Sequence, residues 1–488
     1  MTPSVLVGLA VALPLVGAGL VLALGKWPNA REGATLVTGV ALFATVMGLL
    51  GPVRSGLRPS LTLVEVVPGL KLGFQAEPLG LLFALVASFL WVVTSLYSIG
   101  YMRGHHEEHQ TRFYAFFAFS IASAMGVAFS ANLFTLFAFY EALTLCTFPL
   151  VTHHGTEEAR KAGRVYLGIL LTTSVAFQLL AIIWTWQLAG TLDFRPGGIL
   201  AGTASKGVLS VLLALFVFGV GKAAVMPFHR WLPAAMVAPT PVSALLHAVA
   251  VVKAGVFTIL KVSVYVFGLD VLGTLAATPW LAWAAAATII LASLVAFTKD
   301  NLKARLAYST ISQLSYIVLG ALLANRWGII GGGMHIAMHA FGKITLFFGA
   351  GAVLVATHET EISRMHGLGR TMPITFGAFF VGALSIVGVP PAGGAWSKWF
   401  LGLGTLEAGQ IWLLAVLMLS SLLTLVYLLE VPARAFFGKP AEGRAPVEGI
   451  HEAPWPSVLA LTITAVATVI LFVHPGPVFD LVSLVVPK

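Results

Sequence analysis

Residues 221–253 read GKAAVMPFHRWLPAAMVAPTPVSALLHAVAVVK. The stretch is mostly apolar, yet it holds Lys222 near one end, Lys253 at the other, and Pro227, Pro233, Pro239 and Pro241 between them. A proline inside a helix lacks the N–H and clashes with the preceding turn. Inside a bilayer, irregular backbone is tolerated only where protein or a wet cavity surrounds it. The stretch therefore predicts a membrane helix that breaks beside a lysine, followed by a second helix with His247 and Lys253 on it.

The rest of the chain sets the same environment. Its 488 residues are 58% hydrophobic and 10% charged, with a mean hydropathy of +0.94. A soluble domain carries about 25% charged residues, so a polar surface for a soluble core of this size is missing. The lone Cys146 excludes a disulfide framework and any cysteine-held cluster or zinc site. The net charge of +9 calls for no nucleic acid, because the basic residues gather in loops on one side of a membrane. Val5–Leu24 has no Lys or Arg before it and reads as a first span rather than a cleaved leader.

A span needs about 20 apolar residues. Fourteen such segments lie at 3–25, 34–52, 77–100, 113–130, 131–151, 163–189, 205–235, 239–268, 275–298, 303–323, 328–357, 372–403, 409–437 and 455–484. Loops after odd-numbered spans hold fifteen Lys or Arg, Arg444 among them. Those after even-numbered spans hold seven, with Lys488 at the C-terminus. That bias places the odd loops in the cytoplasm of a cell with this chain in its inner (plasma) membrane, and both termini outside.

Six basic residues fall inside spans: Lys222, Arg230, Lys253, Lys261, Lys343 and Lys398. A charge in the bilayer centre costs several kcal/mol and marks an ion path. Lys261 and Arg230 read as side chains that snorkel from helix ends. Glu430 reads as a partner for Arg434 one turn on. Glu141, Lys222, Lys253 and Lys398 have apolar sequence on both sides and no charged loop nearby. Burial pushes a lysine toward neutrality and a nearby carboxylate reverses the push. A Glu141–Lys222 pair can thus switch a lysine between holding and releasing a proton.

A second break, Gly388-Val389-Pro390-Pro391-Ala392-Gly393-Gly394, precedes Lys398. Broken helices at matching places in two halves point to inverted-repeat transporters. The breaks sit in the seventh and twelfth spans. An offset of five inverts topology, so spans 4–8 and 9–13 form the repeats. The expected fold is an all-α integral membrane protein of about fourteen helices with two inverted five-helix repeats. Its parts are 1–112, with the first three spans; 113–268 and 275–437, the two repeats; and 455–488, the last span.

His335 and His339 lie one turn apart on one helix face, and Lys343 continues that face. No carboxylate or cysteine offers a third metal ligand there, so the pair reads as a proton relay; imidazole titrates near neutral pH. The run His105-His106-Glu107-Glu108-His109 resembles a zinc motif superficially and reads as a solvated loop.

At these residues the chain resembles the antiporter-like subunits shared by Mrp-type cation/proton antiporters, respiratory complex I and membrane-bound hydrogenases. PFHRWLP and APTPVSALLH carry the resemblance most specifically. FAFYEALTL around Glu141, HIAMHAFGKITLFF at 335–348 and GVPPAGGAWSKWF at 388–400 add to it. The likeness implies a Glu141–Lys222 pair, with Lys253 as the central lysine and Lys398 as the terminal one. Together with His247, His335, His339 and Lys343 they form the expected proton-transfer set. The lysines at 253 and 398 with His247 look most like the D-type Mrp subunit. That subunit works among other membrane subunits, moves protons in a shared complex with sodium as a candidate second ion, and carries no cofactor or redox centre. Soluble redox or hydrolytic subunits are further candidate partners. The rival readings are a pump subunit of complex I or a hydrogenase, and the proton channel of an inorganic-carbon uptake complex. A lone transporter of an organic substrate is disfavoured, because the breaks offer lysines and histidines rather than varied polar groups.

Overall fold

The computed structural model describes residues 2–439 and 449–486. Arg444 and Lys488, used in the charge count above, lie outside the described residues. Helices dominate: α1 Pro3–Ala23, α2 Pro28–Arg54, α3 Pro78–Gly104, α4 Gln110–Ala128, α5 Leu133–Val151, α6 Glu157–Ala189, α7 Lys206–Gly219, α8 Thr240–Phe267, α9 Ala277–Phe297, α10 Leu302–Leu322, α11 Arg326–Thr357, α12 Pro373–Val387, α13 Gly394–Glu407, α14 Ile411–Phe437, α15 Trp455–Val473 and α16 Gly476–Ser483. Among the described residues, eleven of these are long and apolar enough to cross a membrane.

The helix starts follow from capping chemistry. Glu77 accepts from the N–H groups of Leu79 and Gly80 ahead of α3, with Pro78 at the first helical position. Asn132, Thr156, Asn301 and Asn325 cap α5, α6, α10 and α11 in the same way.

One element departs from the all-α expectation. Strands β1 Ser60–Val67 and β2 Leu70–Gln75 pair antiparallel across a turn at Pro68–Gly69, a combination that favours reversal. The last expected span is also shorter than the run 455–484, because α15 stops at Val473 and the chain turns through His474 and Pro475 before α16.

Both proline-rich stretches interrupt the helices. After α7 the chain makes short turns from Val220 to Arg230, with Ala224 in the left-handed region at φ 55°. After α12, Gly388 closes the helix at φ 88°, a conformation open to glycine at little cost. Protein groups satisfy the freed backbone. The Lys222 N–H donates to Tyr140 Oη (3.1 Å), Trp231 Nε1 donates to Gly221 O (2.9 Å), and Met226 N–H donates to Thr288 Oγ1 (3.2 Å). At the second break, Gly394 N–H donates to Ser385 Oγ (3.2 Å) and Gly393 N–H to Thr468 O (3.0 Å).

Helix α8 is buried on every face and packs against α3, α10 and α11. Gly255 lets it approach the first break: a Cβ there would strike the Lys222–Ala223 backbone. Two irregular turns, Leu245–Val249 and Ser263–Phe267, have wide π geometry. Such turns recur at functional sites, and His247 sits in the first.

Candidate functional site

Lys222, Lys253, Lys261 and Lys343 are wholly buried. A lysine at the centre of a membrane helix costs about 3 kcal/mol, so four cost roughly 12 kcal/mol, as much as the net stability of a whole domain. Packing alone gives no reason to keep them.

Lys222 faces α5. Its Nζ donates to Tyr140 O (2.9 Å) and Thr144 Oγ1 (2.5 Å) and lies 3.2 Å from the Tyr140 ring centroid. No hydrogen bond or ion pair joins Lys222 Nζ to Glu141. Both carboxylate oxygens of Glu141 are buried without a hydrogen-bond partner. The reason is helical phase: Tyr140 and Thr144 share a face one turn apart, and Glu141 sits about 100° around the helix. Glu141 therefore acts on Lys222 only through space.

Lys253 points the other way, toward α11. Its Nζ is 2.7 Å from His339 Nδ1. The His339 and His335 ring centroids are 5.6 Å apart, and His335 Nδ1 is 2.8 Å from Ser397 Oγ. His335 stacks on Tyr316 (5.7 Å), over which Lys398 Nζ sits at 4.7 Å. Lys398 donates to Val387 O (3.0 Å), the last residue of α12, and to Ser421 Oγ (2.9 Å). One line of polar groups thus runs from Lys253 through His339 and His335 to Lys398.

Lys343, one turn beyond His339, donates to Ser309 Oγ (2.7 Å), which also accepts from Tyr427 Oη (3.1 Å). His247 lies against Phe347 with ring centroids 4.6 Å apart, and neither of its nitrogens has a hydrogen-bond partner. His335 Nε2 and His339 Nε2 are also buried and unpaired.

Two of the sequence expectations need correction. Lys261 does not snorkel. It is buried, its Nζ 3.4 Å from Glu77 Oε1, and it donates to Ser130 O (2.8 Å). Glu77 also accepts from Tyr265 Oη (2.9 Å). The partner that holds Lys261 inward comes from the start of α3, far away in sequence. The loop at 105–109 is not simply solvated either, because the Glu107 side chain is only 5% exposed. Arg230 is exposed. Glu430 bonds Arg434 (2.6 Å) and gains Arg305 (2.5 Å) as a second partner.

Sequence reading missed a hydroxyl cluster. Ser293, Ser312 and Ser420 lie within 3.2 Å of one another, all buried. Thr424 and Tyr427 continue it toward Ser309 and Lys343. The signal was present: Ser309, Ser312, Gln313 and Tyr316 form a polar stripe at helical spacing on α10, as Ser420, Thr424 and Tyr427 do on α14.

Residues 130–424 match the family described as NADH:quinone oxidoreductase/Mrp antiporter, TM. The chain belongs to this family. Residues 69–114 match a second description, NADH-Ubiquinone oxidoreductase (complex I), chain 5 N-terminus. Relatives include NADH-quinone oxidoreductase subunit N of Desulforudis audaxviator, 35% identical over 75% of this chain and 73% of that protein. Subunit L of the Mycobacterium tuberculosis enzyme is 32% identical over 92% of this chain and 72% of its own length. Among solved structures, a chain of the Mrp complex from a Dietzia species superposes with a TM-score of 0.87 at 23% identity, covering 99% of this chain and 97% of that one. That likeness is one of fold. A chain of the archaeal membrane-bound sulfane sulfur reductase gives 0.85 at 25% identity, covering 98% and 96%. The protein is thus a multi-pass membrane protein of the antiporter-like family, whose members work in multi-subunit membrane complexes and move protons.

Proposed function

We propose that the chain is the D-type, proton-translocating subunit of an Mrp-like complex, in which proton movement is coupled to cation antiport. The line Lys253–His339–His335–Lys398 carries this reading. It joins α8, α11 and α13 with titratable groups in hydrogen-bonding or ring contact, deep among apolar helices. Glu141, Lys222, His247 and Lys343 flank it. Each lysine can hold a proton and each imidazole can pass one on.

Fourteen spans follow if α7, α10 and α12 join the eleven longer helices. Spans 4–8 and 9–13 then form inverted repeats, each with one broken helix. The parts 1–112, 113–268, 275–437 and 455–488 are the corresponding units, in the inner (plasma) membrane with both termini outside. Other membrane subunits complete the complex, and sodium is the candidate counter-ion.

A second reading, a pump subunit of a redox complex, draws support from relatives named as NADH-quinone oxidoreductase subunits. Copurified subunits separate these two and the carbon-uptake reading. Small membrane subunits alone mean Mrp; flavin or iron–sulfur subunits mean a redox pump; a zinc-bearing soluble partner means carbon uptake.

The test is proton movement in vesicles that hold the purified complex. Lys253→Ala, with assembly verified separately, should reduce ion-coupled proton movement to background. Full transport by the assembled variant would remove Lys253 from the path and defeat the reading.

A further inference from the structure

Glu107 lies in the loop between α3 and α4, outside the spans, yet its carboxylate is nearly inaccessible. Three imidazoles surround it. His105 Nδ1 is 3.1 Å from Oε1, His154 Nε2 is 3.2 Å from Oε2, and His153 Nε2 is 3.8 Å from Oε2. They come from two separate segments, the loop itself and the turn after α5. The group lines a pocket of about 340 Å³ on the protein surface.

Exposure within the cluster is graded. The side chains of His154 and His105 are 38% and 32% exposed, whereas His153 is 2% exposed. Protons from water therefore meet His154 and His105 first, and Glu107 stands behind them. Other elements enclose the inner side. Tyr101 of α3 stacks on His105 at 5.7 Å, and His358 beyond α11 lies 6.3 Å from His105. Arg112 of α4 donates to His153 O (2.6 Å). Lys303 of α10 is half-buried, donates to Ala238 O (2.5 Å) just before α8, and interacts electrostatically with Glu107, His154 and His247.

We propose that the Glu107 pocket is a proton-collecting station, which takes protons from water at one mouth of the relay and feeds them inward past Lys303 toward His247. This rests on the relay reading above. Metal binding fits less well: the imidazoles converge on the carboxylate, and among the described residues no group of three His, Cys, Asp or Glu is placed to hold an ion.

The local electrostatics agree. The hydrogen bond His154 donates to Glu107 outweighs burial and raises His154 above an ordinary imidazole. Burial pushes His153 down to about 4, so it stays neutral. Burial also pushes Glu107 up, but the hydrogen bond and charge of His154, with the hydrogen bond of His105, outweigh it and hold the carboxyl below its usual range. The cluster thus sets a carboxylate beside the water-facing imidazole of His154, which protonates more readily than an ordinary one.

The experiment measures proton uptake against pH by the whole complex in vesicles. Glu107→Gln removes the carboxylate, and His154 returns toward its ordinary value. Each unit of that fall lowers its protonated fraction about tenfold on the alkaline side. Uptake should fall by up to that factor at alkaline pH, stay near normal at acid pH, and recover when imidazole buffer is added as a mobile proton carrier. His154→Gln, an exposed substitution that should fold normally, should give the same alkaline defect. Unchanged alkaline uptake, or a loss equal at every pH that imidazole does not relieve, would overturn the proposal. Lys253→Ala is the control for the relay itself: its defect should be present at every pH and insensitive to imidazole, so failure of the relay and failure of the station give different profiles.

Discussion

The two broken helices share a sequence signature and differ in surroundings. At the first break Lys222 is wholly buried, held by Tyr140 and Thr144, with Gly255 of α8 pressed onto its backbone. At the second, Lys398 is half-buried and borders a cavity of about 590 Å³. Trp396, Trp399, Leu414 and Met418 line that cavity, and Trp399 and Met418 are exposed. Glycine, proline and lysine in the same order thus build one closed lysine site and one open one. What closes the first is a partner helix with no side chain at the point of contact. At the second, α15 packs on the break at Gly393 through Thr468 O, but Lys398 stays on the open side and caps the end of α12 through Val387 O, where a cation is favoured.

The largest difference should appear on adding bulk at the glycines. Gly255→Val drives a side chain into the Lys222–Ala223 backbone, and overpacking of this kind costs about 1–3 kcal/mol or more. Gly388→Ala meets only the flexible Lys398 side chain, plus a left-handed backbone that disfavours alanine by roughly 1 kcal/mol. Thermal unfolding of the purified complex should show the larger loss for Gly255→Val. Equal losses would mean that the first site is not closed by that contact.

A smaller effect should appear in chemical access. With Cys146 replaced by alanine, Lys398→Cys should react with a membrane-permeant maleimide, and Lys222→Cys should react far more slowly. Similar rates at both positions would erase the contrast between open and closed sites.

Much of this was legible in the sequence, for reasons that are local. Apolar runs mark membrane helices, and Pro227, Pro390 and Pro391 mark breaks because a missing N–H acts wherever it occurs. The face shared by His335, His339 and Lys343 follows from one helical period. What escaped depends on distant partners or exact phase. Lys261 is buried because Glu77 waits at the start of α3. Glu107 is buried because His153 and His154 return to it from the end of α5. That Lys222 bonds Tyr140 and Thr144, one turn apart, rather than Glu141 follows from exact helical phase. The β1–β2 hairpin was signalled by Pro68–Gly69 after the β-branched Thr62, Val64, Val66 and Val67, in a stretch too short and polar to be a span.

The central claim is that buried lysines in this chain give up and regain protons, rather than serve as fixed charges. Lys222→Arg tests it most directly. Arginine keeps the positive charge but stays protonated inside proteins. Ion-coupled proton movement would be followed in vesicles that hold the assembled complex, beside wild type and Lys222→Ala. The account predicts that Lys222→Arg assembles and fails to transport, as Lys222→Ala does. Robust transport by the assembled Lys222→Arg complex would contradict it, and would leave Lys222 as an electrostatic fixture rather than a carrier.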